Sequence, residues 1–271
     1  MNFQRQSFLS NIPEVVKNLL IINVIMLLAT MVMESRGVNL NNLLGIHHYS
    51  SPEFKPFQFV TYMFMHGGVT HLFFNMFALY MFGKVLETVW GPKRFLLYYM
   101  VTGIGAAIVN MVIQSFSLSG MEEAVNYYVQ NPTPSNFELF LDQYGSGGNY
   151  MQFIADFTQN AQNNEYIAAT IEKAQQMLVM TRDVPTVGAS GSVFGILLAF
   201  GMLFPNTQLM LLIPPIPIKA KYFVIIYGAL ELYSGISNNP GDNVAHFAHL
   251  GGMLFGFSLI QYWKKDTNNF Y

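Results

Sequence analysis

Six apolar runs, at about 18–33, 70–89, 95–117, 188–204, 220–236 and 245–263, dominate this chain and leave little choice of architecture. Runs of about 15–20 residues with so few charges read as transmembrane helices, since in lipid a backbone finds its hydrogen-bond partners within its own helix. The sequence is 52% hydrophobic and 10% charged, against about 25% charged in soluble domains. The expected fold class is therefore all-α, a polytopic membrane protein built as a bundle of six transmembrane helices.

Composition excludes several kinds of chemistry. Cysteine is absent, which rules out disulfides, thiol nucleophiles and thiolate zinc sites. A net charge of −2, with no basic run or stacking motif, argues against a nucleic-acid partner. The first apolar stretch, Leu19–Met33, ends in Glu34-Ser35-Arg36 with no small-residue cleavage site. It is read as a retained span rather than a removed signal peptide.

The basic residues orient the bundle. With the N-terminus inside, Arg5, Lys17, Lys84, Lys93, Arg94, Lys219, Lys221, Lys264 and Lys265 are cytoplasmic, and Arg36, Lys55, Lys173 and Arg182 lie outside. Nine against four places both termini in the cytoplasm, and the expected location is the cell (inner) membrane.

One segment breaks the apolar rhythm. Residues 119–186 are rich in Asn and Gln and carry eight acids against two bases. The division is thus 1–118 for three helices with a membrane-associated first outer loop, 119–186 for a polar, acidic outer-face insertion, and 187–271 for three more helices with a cytoplasmic tail. Within the insertion, Ser135-Asn136-Phe137-Glu138 reads as a capping box. Ile167, Ile171, Ala174 and Leu178 form one stripe of a second helix, and Gly145-Ser146-Gly147-Gly148 reads as a flexible joint. The segment is expected to cover or brace the bundle, or to present substrate as a lid.

Polar side chains inside the apolar runs point to function, because lipid makes them costly. Of the six histidines, His47, His48, His66, His71, His246 and His249, four sit beside or inside apolar segments. Counting about 1.5 Å per residue from the cytoplasmic ends places Ser190 and His249 roughly 21 Å up, and Asn75 roughly 23 Å. In a core about 30 Å thick, all three share one level about 7–9 Å below the outer surface.

The residue types at that level suit acyl transfer. Gly188-Ala189-Ser190-Gly191 places Ser190 at a helix N-terminus, where free N–H groups and the dipole favour an oxyanion; the plainer reading is a serine cap. Ser192 is a rival hydroxyl on another face of the helix. His249 is followed by Gly252-Met253-Leu254-Phe255-Gly256, a small-xxx-small face expected to pack on the fourth helix and bring the imidazole to Ser190. His71 and Asn75, at i and i+4, share a face and can donate to an oxyanion; alternatively, they serve interhelical hydrogen bonding. Phe194, one turn after Ser190, is positioned to pack on the imidazole. No acid is placed to orient His249, since Asp242 lies about 10 Å away along a helix, so a Ser–His dyad is expected. Zinc binding by His246 and His249 lacks an HExxH motif and a third ligand. His66, at a Gly-rich turn, is read as interfacial.

Taken together and in this order, the GxSG segment at Gly188–Gly191, the HxxxN segment at His71–Asn75 and the AHLGG segment at Ala248–Gly252 resemble the rhomboid intramembrane serine proteases. The resemblance covers the six-span core and leaves out the insertion. It implies a rhomboid-like bundle with a short, central fourth helix and a water-filled site open to the outer face. It also implies Ser190 as nucleophile, His249 as general base, and an oxyanion hole of His71, Asn75 and the Ser190 amide, with Gly188, Gly191, Phe194, Gly252 and Gly256 in support. No metal or organic cofactor is implied. Partners would be single-span transmembrane substrates and the bilayer, with the enzyme a monomer or weak homo-oligomer. Two departures from bacterial relatives stand out: the first outer loop lacks a Trp-Arg pair, so something else must hold it, and Phe194 replaces a Tyr. The competing functions are a catalytically inactive rhomboid-like factor that binds and routes membrane proteins, and a small-solute transporter, for which the internal symmetry is missing.

Overall fold

The computed structural model describes residues 11–145, 150–210, 215–237 and 244–266. Helix α1 (Glu14–Glu34) starts after Pro13, which offers no side-chain cap. The cap comes instead from the second span. The buried Glu87 carboxylate accepts the free N–H groups of Val15 and Val16 at 2.9 and 2.8 Å, satisfying orphan donors and the positive helix end together.

A loop with two short helices, α2 (Leu40–Leu44) and α3 (Gln58–Thr61), leads into a 3-10 turn at Tyr62–Phe64. In place of a Trp-Arg pair, this loop is organised by the buried Gln58. Its Oε1 accepts from the N–H groups of His47 (3.4 Å) and Lys55 (3.0 Å), while its Nε2 donates to the carbonyls of Leu43 (3.3 Å) and Glu53 (3.0 Å). The second span runs from Val69 to Trp90, as α4 (Val69–Ala78), a wider π turn at Leu79–Gly83 and α5 (Lys84–Trp90). Gly91 at φ 79° and Pro92 at the first helical position make the tight reversal into α6 (Pro92–Gln130), a glycine–proline pairing suited to such a turn.

Helix α6 is unbroken for 39 residues and passes through the 118/119 boundary drawn from the sequence. Beyond it come α7 (Pro134–Tyr144), α8 (Met151–Gln159) and α9 (Asn164–Asp183). The capping box is corrected by the structure: Thr133, not Ser135, caps α7, accepting from Asn136 N–H, and Pro134 fits the first helical position. The α9 stripe lies as expected, with Ala174 fully buried and Ile167, Ile171 and Leu178 packed around it. Helix α8 had no sequence expectation, and residues 146–149 of the glycine-rich joint lie outside the described residues.

The chain returns through α10 (Ser190–Leu203) and a short antiparallel hairpin, β1 (Gln208–Met210) with β2 (Pro217–Lys219), paired Gln208 to Lys219. It ends with α11 (Ala220–Ser237) and α12 (His246–Asp266). Almost everything is helical. Helix α1, the second span and α6 are each long and apolar enough to cross a membrane, and α10 is a shorter apolar helix. The molecule is a multi-pass membrane protein.

Helix α10 is the central element, with ten of its fourteen residues buried. It packs between α6 and α12 at backbone distance. A Cβ on Gly252 would fall 1.9 Å from the Gly191 carbonyl oxygen, and one on Gly195 would fall 2.7 Å from Thr102. Small residues are how helices approach where lipid supplies no hydrophobic drive. The GxxxG face of α12 therefore meets two neighbours: Gly252 faces α10, whereas Gly256 faces Tyr98 and Thr102 of α6. At the far end, the Trp90 and Trp263 rings meet edge to face at 5.5 Å. The ends of the second span and of α12 thus lie side by side.

Candidate active site

The end of the bundle opposite those tryptophans gathers the polar residues. Gly188 adopts φ 134°, a backbone state suited to glycine, and its N–H donates to the Tyr62 carbonyl at 2.9 Å. The Tyr62 hydroxyl donates in turn to the Gly103 carbonyl at 2.6 Å. The turn before α10 is thereby tied to the loop after α1 and to α6. Ser190 is the first residue of α10 and is partly exposed. Its rival is engaged elsewhere: the Ser192 hydroxyl is buried and donates to the Tyr99 carbonyl at 2.8 Å.

His71 reaches this turn from α4. A Cβ on Gly188 would lie 3.0 Å from His71 Nε2 and 3.6 Å from Ser190 Oγ. A side chain at 188 would therefore occupy the gap between imidazole and hydroxyl. On the other edge of the ring, Gly67 N–H points at Nδ1 at 3.4 Å. Since Nδ1 accepts, the proton of a neutral ring sits on Nε2, the nitrogen facing Gly188. Asn75 is buried one turn later, and its Nδ2 spends one hydrogen on the His71 carbonyl at 3.0 Å. An amide nitrogen carries a second. His66 is buried, and its ring stands edge-on to His71 at 5.0 Å. Burial, with His71 beside it, holds the His66 imidazole down at about 4.

His249 lies in the first turn of α12, buried beside α10. The Phe194 ring stacks on its imidazole at 4.1 Å and 6° between planes, as expected from the one-turn spacing. Close approach of the helices at Gly191 and Gly252, the first adjacent to Ser190 and the second about one turn after His249, brings the two polar residues to the same junction.

The structure also supplies an acid that sequence reasoning missed. Glu231 of α11 presents Oε2 to His249 Nδ1 at 2.8 Å and to His246 Nδ1 at 2.7 Å. The three side chains form a candidate metal-ligating group among the described residues, so a third donor does stand beside the histidine pair. Asp242 lies outside the described residues. The signal for Glu231 was present in the sequence: a lone carboxylate within an apolar span is itself a marker of function.

Chemically, this junction offers a hydroxyl at a helix N-terminus, an imidazole with Nδ1 occupied, and hydrogen-bond donors across a glycine gap. Comparison with known proteins places it in a family. A rhomboid domain model matches residues 53–126 and 143–265, and only 127–142 interrupts it. The chain is 35% identical over 95 residues to the chloroplastic rhomboid-like protein 11 of Arabidopsis thaliana, covering 35% of this chain and 32% of that protein. It is 35% identical over 66 residues to rhomboid protease GluP of Bacillus subtilis, covering 24% of this chain and 13% of the relative. Over 60 residues it is 35% identical to rhomboid protease AarA of Providencia stuartii, covering 22% and 21%. The aligned stretches are thus less than a third or so of each relative's length. The family match, by contrast, takes in more than half of this chain and every residue of the junction, and the chain belongs to the rhomboid family.

Proposed function

We propose that this protein is an intramembrane serine endopeptidase that cuts single-span membrane proteins near the extracytoplasmic face. Ser190 is the nucleophile, His249 the general base, and the oxyanion is received by His71 Nε2–H, the Asn75 amide and the Ser190 N–H. The observation that carries this reading is the arrangement around Gly188, where an imidazole donor and the serine hydroxyl flank a residue with no side chain. That gap has the size of a carbonyl oxygen rather than of a protein side chain.

The steps follow from the groups present. A substrate segment enters where α11 yields sideways; that helix buries only Ala220 and Val224 among its residues. The segment unwinds locally, because a helical carbonyl is hydrogen-bonded and shielded. His249 takes the Ser190 proton as Oγ attacks the carbonyl carbon, and the tetrahedral oxyanion is held by the donors opposite. The imidazolium then protonates the leaving amine, and water hydrolyses the acyl-enzyme by the same route. The chain crosses the membrane six times with both termini cytoplasmic, as the nine-to-four distribution of basic residues supports. The unit built on residues 119–186 then stands on the outer face of the cell (inner) membrane.

The test is cleavage of a labelled single-span substrate in detergent. Ser190→Ala is expected to abolish turnover and labelling by a fluorophosphonate, and Asn75→Ala to slow cleavage roughly 10²–10³-fold, the cost of one oxyanion donor. Undiminished cleavage by Ser190→Ala would end the proposal.

A further inference from the structure

We propose that Glu231 is a positioning carboxylate for His249, so that the base works as the middle member of a Ser190–His249–Glu231 relay of hydrogen bonds. The inference rests on the protease reading given above. An ionised carboxylate only accepts, so both Nδ1 atoms at 2.7 and 2.8 Å from Oε2 must carry hydrogen. A neutral imidazole has one N–H. Placing it on Nδ1 leaves Nε2 of His249 with the bare lone pair that proton abstraction requires.

The restraints on this ring are complementary. Stacking on Phe194 at 6° fixes the plane of the imidazole. The bond to Glu231 fixes its rotation within that plane, which stacking alone leaves free. His246 serves the carboxylate rather than the base: its Nδ1–H helps hold an anion that is half-buried in an apolar helix, where an unpaired charge would be costly. The same three side chains could instead hold a metal ion, a reading that a chelator separates from this one.

A plainer role, a polar staple between α11 and α12, makes different predictions. Glu231→Gln keeps an acceptor oxygen and nearly the same shape, so a staple survives it. The amide can also donate to Nδ1, which drives the proton to Nε2 and disarms the base. We expect Glu231→Gln to lower kcat by about tenfold or more, with KM within about twofold and the thermal midpoint unchanged. In wild type, 15N spectra of labelled histidine, with His249 assigned by its loss in His249→Asn, should show the Nδ1–H form, shifting to Nε2–H in Glu231→Gln. A chelator should leave wild-type kcat unaltered. Wild-type kcat in Glu231→Gln, an Nε2–H ring in the wild-type protein, or chelator-sensitive turnover would overturn the proposal, and the second can be read even where the variant fails to fold. These failures stand apart from failure of the protease reading, which shows instead as cleavage by Ser190→Ala.

Discussion

The junction of α6, α10 and α12 and the unit of α7, α8 and α9, the outer unit in the proposed orientation, both bury their helices, yet by opposite means. In the junction, glycines let the helices close up: Gly252 lies against the Gly191 carbonyl, and Gly195 against the short Thr102 side chain. In the outer unit, large side chains fill the centre, with Tyr128, Phe137, Phe140 and Phe157 all buried. The difference follows from the solvent. Water pushes aromatic surface together, whereas lipid does not, so helices within it gain by close dispersion contact and polar bonds. The same chain uses both rules, and α6 passes from one to the other.

The strongest way to break this contrast is to add bulk in the junction. Gly252→Leu is expected to force α12 off α10 and abolish both cleavage and the folded state in detergent, read from the fluorescence of Trp90 and Trp263, whose rings meet at the far end of the same bundle. Retained activity would mean that backbone contact is dispensable there. The outer unit should respond to the reverse change. Phe137→Ala, at a fully buried ring, should cost about 3–5 kcal/mol. Hydrogen exchange should place that loss in α7–α9, with tryptophan fluorescence and cleavage preserved. Acid sharpens the comparison further, since 119–186 contains no histidine. The unfolded chain protonates His66 near 6.5, whereas the folded chain resists until about 4. Stability should therefore fall as pH drops through that window, by up to about 3 kcal/mol, and remain flat above it. His48, also lowered by burial, contributes in the same direction. Thermal midpoints measured between pH 7 and 4 should flatten in His66→Phe.

Much of the fold was legible because hydropathy reports the solvent directly. The apolar runs match helices to within a few residues, except that α6 continues to Gln130. A polar surface ends a span but not a helix, and composition alone cannot separate the two. Local rules placed Phe194 on His249, because one helical turn is a fixed geometry. The cap at Thr133 was displaced by a competing local signal, Pro134. Glu231 was missed for a different reason: it lies 18 residues before His249, and only the antiparallel pairing of α11 with α12 brings the carboxylate to the ring. Which face of α11 meets α12 is decided by packing, which no short window of sequence encodes. Gln58 escaped notice similarly, since its four hydrogen bonds are all to main-chain groups that no motif advertises.

The uninterrupted run of α6 has a mechanical meaning. At about 1.5 Å per residue it is roughly 58 Å long, nearly twice the thickness of the oily layer it crosses. Its upper third is the mast on which the outer unit is rigged, and the strand bridge between Ile46 and Thr186 ties the unit's other end to the first loop. Among the described residues, that appendage is thus moored at both ends, by the continuous α6 and by the bridge at Thr186. In the proposed function and orientation, a substrate's ectodomain would meet this moored unit on its way to Ser190.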